Sequence, residues 1–142
     1  MDHPIEFFSE DVEFELNNPE QVAEWIADII ERHERELTNL TYIFCSDEYL
    51  HEINVAYLDH DTLTDIITFN NADEEGTIEG DVFISIDRVH DNAQDHGTAF
   101  EDELHRVIIH GVLHLLGFKD KTEEQEVLMR KEEDSSLSLR KF

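Results

Sequence analysis

Apolar residues recur along the chain with two periods, one near 3.6 residues and one of two residues, which predicts helices interspersed with strands. Helices are expected over about residues 19–31, 47–58, 88–95 and 99–116, and a last helix opens at Thr122. A capping box of Thr98 with Glu101 is expected to open the fourth helix, and one of Thr122 with Gln125 the last. Asn18 and Pro19 form a typical helix start. The apolar stripe that follows them, which includes Trp25, predicts packing of the first helix against a core.

Strands are expected where short apolar runs or apolar/polar alternation occur, at residues 5–8, 12–16, 40–45, 64–69 and 81–86. The last two runs flank an acidic, glycine-containing loop, which predicts a hairpin. Strands and helices are therefore interspersed, and we expect an α+β domain with a small mixed sheet packed against helices. The polar tail from about residue 135 is expected to fray.

The length of 142 residues suits one domain with a substantial core, here residues 1–142. No run approaches the roughly 20 apolar residues of a membrane span, and the acidic N-terminus does not resemble a signal peptide. We therefore expect a cytoplasmic protein. Cys45, alone and within an apolar run, is expected to be a buried, unreactive thiol.

The chain is strongly acidic, since 36 Asp and Glu against 10 Lys and Arg give a net charge of −26. Such a surface repels polyanions at low ionic strength. Acidic composition often accompanies disorder, but the clear apolar periodicity predicts a folded domain. Our hypothesis is adaptation to a salt-rich cytoplasm, where the self-repulsion is screened.

Three residues near the end of the helix at about 99–116 form a candidate metal site. His110 and His114 lie four residues apart, so they point about 40° apart around the helix and can reach one point. Gly117 suits the left-handed turn that ends such a helix, and Asp120 then follows as a third ligand. Two partly buried histidines bonded to the backbone are the alternative. The added glycine and aspartate mimic the longer zincin spacing and favour the metal site.

The residue between these histidines also carries information. Zincin proteases place a glutamate general base directly after the first histidine, whereas this chain has Gly111. Three ligands with an open position would still lower the pKa of a bound water and polarise a phosphoryl or carbonyl oxygen. The motif therefore predicts hydrolysis without fixing the bond cleaved or the general base.

Three sequence blocks lie between about Leu50 and Arg130. The first is Ile53-Asn54-x-x-Tyr57 with Asp61-x-x-Thr64-Asp65-Ile66-Ile67-Thr68-Phe69, the second is Gly80-Asp81-Val82-Phe83-Ile84-Ser85, and the third runs from His110 to Phe118. In order and spacing these blocks resemble the motifs of the YbeY endoribonucleases, also called rRNA maturation factors, whose third pattern is H-G-x-L-H-L-x-G-[YF].

The resemblance implies a zincin-like α+β fold and a single-strand endoribonuclease of small-subunit rRNA maturation and ribosome quality control. Its implied partners are rRNA, the small ribosomal subunit and ribosome-associated proteins. His110 and His114 correspond to family metal ligands, and Asp120 occupies the position of a third ligand that is usually histidine. This ligand set suits zinc most simply, and also other divalent transition metals.

The chain departs from the family pattern at the substrate side. The family's arginine after the tyrosine, which is thought to contact phosphate, corresponds to Leu58, and its proline corresponds to Leu63. Leucine cannot supply bidentate phosphate recognition. Arg88, Lys119 and Lys121 are the candidate replacements.

Two other functions stay open at the level of sequence. The first is a metallohydrolase of a peptide or amide bond, and the second is a non-catalytic ribosome-associated factor with a structural metal. Asp65 and Asp81 match the family motifs, and we expect them to order a strand end or loop. His60 and Asp61 precede the matched strand and are weaker candidates for the cleft.

Overall fold

The computed structural model describes residues 4–58, except for the Leu58 side chain, and residues 64–142. His60, Asp61 and Leu63 lie outside the described residues. The elements run β1 (Ile5–Ser9), α1 (Pro19–Arg32), β2 (Glu36–Cys45), α2 (Asp47–Leu58), β3 (Ile66–Asn70), β4 (Thr77–Ser85), α3 (Ile86–His96), α4 (Phe100–Leu115) and α5 (Glu123–Leu137). The prediction of an α+β domain is confirmed.

The sheet has the strand order β1-β2-β4-β3. β1 and β4 both lie parallel to β2, whereas β3 pairs antiparallel with β4 and forms one edge of the sheet. The predicted hairpin is therefore confirmed. Within the described residues β3 pairs only with β4, and one face of this pair packs against α4, where Ile66 and Val82 approach Gly111.

Alternating side chains of the strands build two cores. Val82 and Ile84 of β4 belong to the main core, together with Trp25 of α1 and the buried face of α4. A smaller cluster on the other face joins Cys45 and Ile67 to Leu50 of α2. Cys45 is buried, and burial raises the pKa of its thiol to about 12, as expected of an unreactive cysteine.

Some helix boundaries follow the expected local signals. The Thr122 hydroxyl accepts a hydrogen bond from the Gln125 backbone amide, and the Gln125 side-chain oxygen accepts one from the Thr122 backbone amide, so α5 opens with a capping box. The Ser46 hydroxyl accepts from the Tyr49 amide at the start of α2. Asn18 precedes α1 as predicted, but its backbone is left-handed with φ of 54° and its side chain makes no cap hydrogen bond.

Three expectations about the backbone are wrong. Residues 12–16 keep their alternation but form no strand, because their neighbours are side chains, with Phe14 against Phe44, and not a sheet edge. α4 begins at Phe100 without a capping box from Thr98, whose amide instead donates to Ala93 and closes α3. The tail does not fray at residue 135, since α5 extends to Leu137.

The C-terminal segment is held by a specific contact to α1. The Trp25 indole donates to the carbonyl of Ser136 at 2.8 Å, and the Phe142 ring packs on Trp25. Tertiary contacts thus override the polar composition of the tail. Among the helices of the described segments, none is both long and apolar enough to span a bilayer.

Candidate metal centre

The candidate centre lies at the C-terminal end of α4. Arg106, His110 and His114 follow at intervals of four residues and therefore share one side of the helix. The opposite side is buried in the main core, where the Tyr42 hydroxyl donates to the Ile108 carbonyl at 3.1 Å. This packing fixes the rotation of α4, so its polar side faces α5 and the segment that follows Gly117.

The end of α4 turns the chain back toward the two histidines. Gly117 has φ of 105°, and its amide donates to the His114 carbonyl at 3.0 Å. The next amide, of Phe118, donates to the Leu113 carbonyl at 3.0 Å, which completes a Schellman motif. The positive φ favours glycine at this position. Asp120 is thereby brought beside the helix end, as the sequence predicts.

The three predicted ligand residues converge on one point. Nε2 of His110 lies 2.9 Å from Nε2 of His114, and Oδ2 of Asp120 lies 3.3 Å from the first and 3.4 Å from the second. Two ligands at about 2.0–2.1 Å from a tetrahedral zinc are separated by about 3.4 Å. The Asp120 distances match that separation, and the histidine pair is slightly tighter. Among the described residues, His110, His114 and Asp120 are the one set of at least three potential metal ligands whose donor atoms all lie within 4.8 Å of one another.

The other ring nitrogen of each histidine is held by an acceptor. His110 Nδ1 donates to Oε2 of Glu133 at 2.6 Å, and His114 Nδ1 donates to the Phe118 carbonyl at 3.1 Å. A carboxylate and a carbonyl only accept, so both protons reside on Nδ1 and both Nε2 atoms present lone pairs to the common point. The donor set therefore fits a divalent metal such as zinc.

A buried carboxylate of α5 supports this arrangement. Glu133 accepts from His110 through Oε2 and from Arg106 through Oε1 at 2.8 Å, and Arg106 also contacts Asp134 at 2.6 Å. Burial raises the pKa of Glu133, but the hydrogen bonds to His110 and Arg106 lower it by a larger amount. The pKa of Glu133 therefore lies below its ordinary value. Burial likewise lowers the pKa of His110, and Glu133 outweighs that effect and leaves it raised.

Gly111 packs closely against the sheet, so a side chain at this position would press on side chains of β3 and β4. A Cβ at this position would lie 3.0 Å from Cδ1 of Ile66 and 3.1 Å from Cγ1 of Val82. A glutamate here would point at β3 and β4 and clash with them. The missing protease base is thus a consequence of close helix–sheet packing as well as a sequence difference.

A cleft of about 190 Å³ opens beside the centre and is lined by His110, Asp120, Glu126, Met129, Arg130 and Glu133. Neither Arg130 nor Glu133 was predicted from the sequence as a site residue. No sequence pattern links these two residues to His110, because only the packing of α5 on α4 brings them to the site.

The predicted substrate cations occupy different surroundings. Lys119 and Lys121 flank Asp120 in the chain and are exposed. The Arg88 guanidinium pairs with Asp47 at 3.0 Å and with Asp91 at 2.8 Å, which raises its pKa. Arg88 is therefore already engaged by two carboxylates, whereas the two lysines lie next to the candidate ligand Asp120.

Asp65 of the matched block lies just before β3. Its Oδ2 accepts a hydrogen bond from the Asn92 side-chain amide at 3.2 Å, and its backbone carbonyl accepts one from the Ser85 backbone amide at 3.0 Å. Burial raises the pKa of this carboxyl, while the nearby His110 opposes the shift. These contacts join β3, β4 and α3, in line with the expected role of Asp65 in ordering a strand end.

Comparison with known proteins agrees with the motif blocks. A sequence model described as Endoribonuclease YbeY matches residues 4–140. The Endoribonuclease YbeY of Cytophaga hutchinsonii is 53% identical over 97% of this chain and 96% of its own, and that of Amoebophilus asiaticus is 50% identical over 91% and 88%. The solution structure of TM1509 from Thermotoga maritima has a TM-score of 0.64 at 25% identity and covers 94% of this chain and 89% of that chain. The resemblance seen in the sequence is confirmed, and the chain belongs to the YbeY endoribonuclease family.

Proposed function

We propose that this chain is a metal-dependent endoribonuclease that cleaves single-stranded RNA in small-subunit rRNA maturation and ribosome quality control. Family membership supports the reaction class. The observation that carries the metal dependence is the convergence of two Nε2 atoms and one carboxylate oxygen beside an open cleft. The proposed partners are the small ribosomal subunit and its associated proteins, which implies action in the cytoplasm.

His110, His114 and Asp120 would hold one divalent metal, and zinc is our proposal for its identity because two imidazoles and one carboxylate suit it. Three protein ligands would leave one coordination position free. A zinc ion held by them would supply a water of lowered pKa and a Lewis acid for a phosphoryl oxygen. Glu133 and the Phe118 carbonyl keep both imidazoles in the tautomer that this requires.

The packing of Gly111 favours RNA over peptide as the substrate, since it excludes the glutamate that zincin proteases use as general base. The exposed Lys119 and Lys121 next to Asp120 are proposed to meet phosphates that flank the cleaved bond. With a net charge of −26, the chain needs the metal, these local cations and screening by salt to bring RNA close.

The test uses purified, zinc-loaded protein at about 0.1 and 1 M KCl, which spans weak and strong screening. The substrates are a single-stranded rRNA-precursor fragment, the same sequence as a duplex, and a peptide. We expect cleavage of the single strand, and a His114→Ala variant should lose at least about 100-fold in rate because the metal is lost.

Each other outcome identifies a rival. Peptide cleavage without RNA cleavage would establish a metallohydrolase of another bond. Metal and rRNA binding without any cleavage would establish a non-catalytic factor. Unchanged RNA cleavage by His114→Ala would reveal a contaminating nuclease and refute the proposed mechanism.

A further inference from the structure

The arginines of this chain differ sharply in how their guanidinium groups are used. Five of the six have a partner within 3.4 Å in the described part of the chain, namely Arg32 with Asp28, Arg35 with the His33 carbonyl, Arg88 with Asp47, Arg106 with Glu133 and Arg140 with His105. Arg130 is the exception. Its nearest described carboxylate oxygen, Oε1 of Glu133, lies 3.8 Å away, beyond hydrogen-bond reach.

That carboxylate is already used by stronger partners. Oε1 of Glu133 accepts from Arg106 at 2.8 Å, and Oε2 accepts from His110 at 2.6 Å. Arg130 therefore contributes charge near Glu133 without giving up its donors. Its side chain is 59% exposed, so the guanidinium is open to a ligand from solution.

Arg130 also stands at a defined place in the surface. It lines the cleft of about 190 Å³ that contains His110 and Asp120. It also lines a second, shallower depression of about 500 Å³ with Glu123, Glu126 and Val127. The two share Glu126 and Arg130, so one groove runs from the metal centre along the first turns of α5.

We infer that Arg130 is the anion-binding residue of this groove and holds an RNA phosphate next to the metal centre. This inference rests on the proposed function. A guanidinium presents a planar fork of donors that matches two phosphate oxygens, and its charge persists at any working pH. Arg88 is held by two carboxylates, so Arg130 is the better placed of these two arginines.

Glu126 allows a second test, in which the expected change in RNA affinity has the opposite sign. Its exposed carboxylate lines the same two depressions and would repel a phosphate held by Arg130. Removing the charge of Arg130 should therefore weaken RNA binding, whereas removing the charge of Glu126 should strengthen it.

The experiment measures binding of zinc-loaded protein to a fluorescein-labelled, single-stranded 2′-O-methyl oligoribonucleotide by anisotropy at several KCl concentrations. Arg130→Gln is compared with Lys131→Gln, the next residue of α5, which is exposed and does not line the groove. Both variants lose one positive charge. Bound zinc is measured in each to show that the metal centre is intact.

We expect Arg130→Gln to weaken binding roughly tenfold and to reduce the slope of log affinity against log salt by about 0.7, the value for one phosphate contact on a single strand. Arg130→Lys should restore the slope but only part of the affinity, because the bidentate geometry is lost. Lys131→Gln should leave the slope within error of the wild type, and Glu126→Gln should raise affinity.

If the wild type cleaves RNA but Arg130→Gln and Lys131→Gln bind RNA with equal affinities and equal salt slopes, the inferred role of Arg130 is overturned. The proposed function would then still stand. A wild-type protein that neither binds nor cleaves RNA would instead overturn the proposed function itself. The two failures are thereby distinguishable.

Discussion

Glu133 is expected to control metal affinity although it is not itself a predicted ligand. It is buried and bridges His110 and Arg106 through its two oxygens, at 2.6 and 2.8 Å. In a Glu133→Gln variant one oxygen becomes an amide that donates. That amide must face either the Nδ1 proton of His110 or the guanidinium of Arg106, both of which also donate. The His110 imidazole therefore loses either its orientation or the negative charge of Glu133, which makes Nε2 a stronger ligand.

The size of the effect follows from the role of such partners. Loss of a carboxylate that orients a ligating histidine typically costs 10–100-fold in metal affinity, so we expect about that loss for Glu133→Gln. Hydrogen bonds to charged groups contribute about 1.5–3 kcal/mol, so the metal-free variant should also unfold more easily by about that amount.

The assay is competition for zinc with a chromophoric chelator, combined with urea unfolding of the metal-free proteins. Asp134→Asn is the matched control, because Asp134 contacts the other side of Arg106 at 2.6 Å and is largely exposed. It should leave zinc affinity unchanged. If Glu133→Gln binds zinc as tightly as Asp134→Asn, the carboxylate does not orient His110 and the reasoning is refuted, even if stability falls.

Three further results are expected. Gly111→Ala should destabilise the fold by up to about 2 kcal/mol, because a Cβ 3.0–3.1 Å from Ile66 and Val82 costs about 1–3 kcal/mol of overpacking, of which helix propensity offsets about 1 kcal/mol; a higher urea midpoint would contradict this. His105 is buried, and burial together with the charge of Arg140 lowers its pKa to about 4. The folded state thus excludes a proton that the unfolded chain binds below about pH 6.5, so stability should fall from pH 6.5 to 4, by about 3 kcal/mol from this group. Unfolding of His105→Gln across the same range should lack that component, and equal pH slopes would refute it. The net charge of −26 predicts that the melting temperature rises between about 0.1 and 1 M KCl, and a flat or falling curve would contradict salt adaptation.

Local signals in the sequence predicted much of the fold and the core of the candidate site. The i, i+4 spacing of His110 and His114 and the glycine turn at Gly117 depend only on helix geometry, and the structure brings Asp120 to them as expected. The capping box of Thr122 likewise depends on residues within one turn.

Other expectations failed where a distant partner competed for the same groups. The alternating residues 12–16 found no strand to pair with. Glu101 accepts a hydrogen bond from the Asn17 side chain, and the Thr98 amide closes α3, so their capping box did not form. A local pattern states what a segment can do, and tertiary neighbours decide among its options.

By itself the sequence determined the acidic charge, the strand and helix periods, the candidate ligand triad and the family motifs, because these depend only on composition and on spacing along the chain. Only the tertiary structure decided that Glu133 and Arg106 support His110, that position 111 packs tightly against Ile66 and Val82, and that Arg130 lines the cleft. Those facts depend on how α4 packs against the sheet and against α5. That packing is determined jointly by residues that lie far apart in the chain.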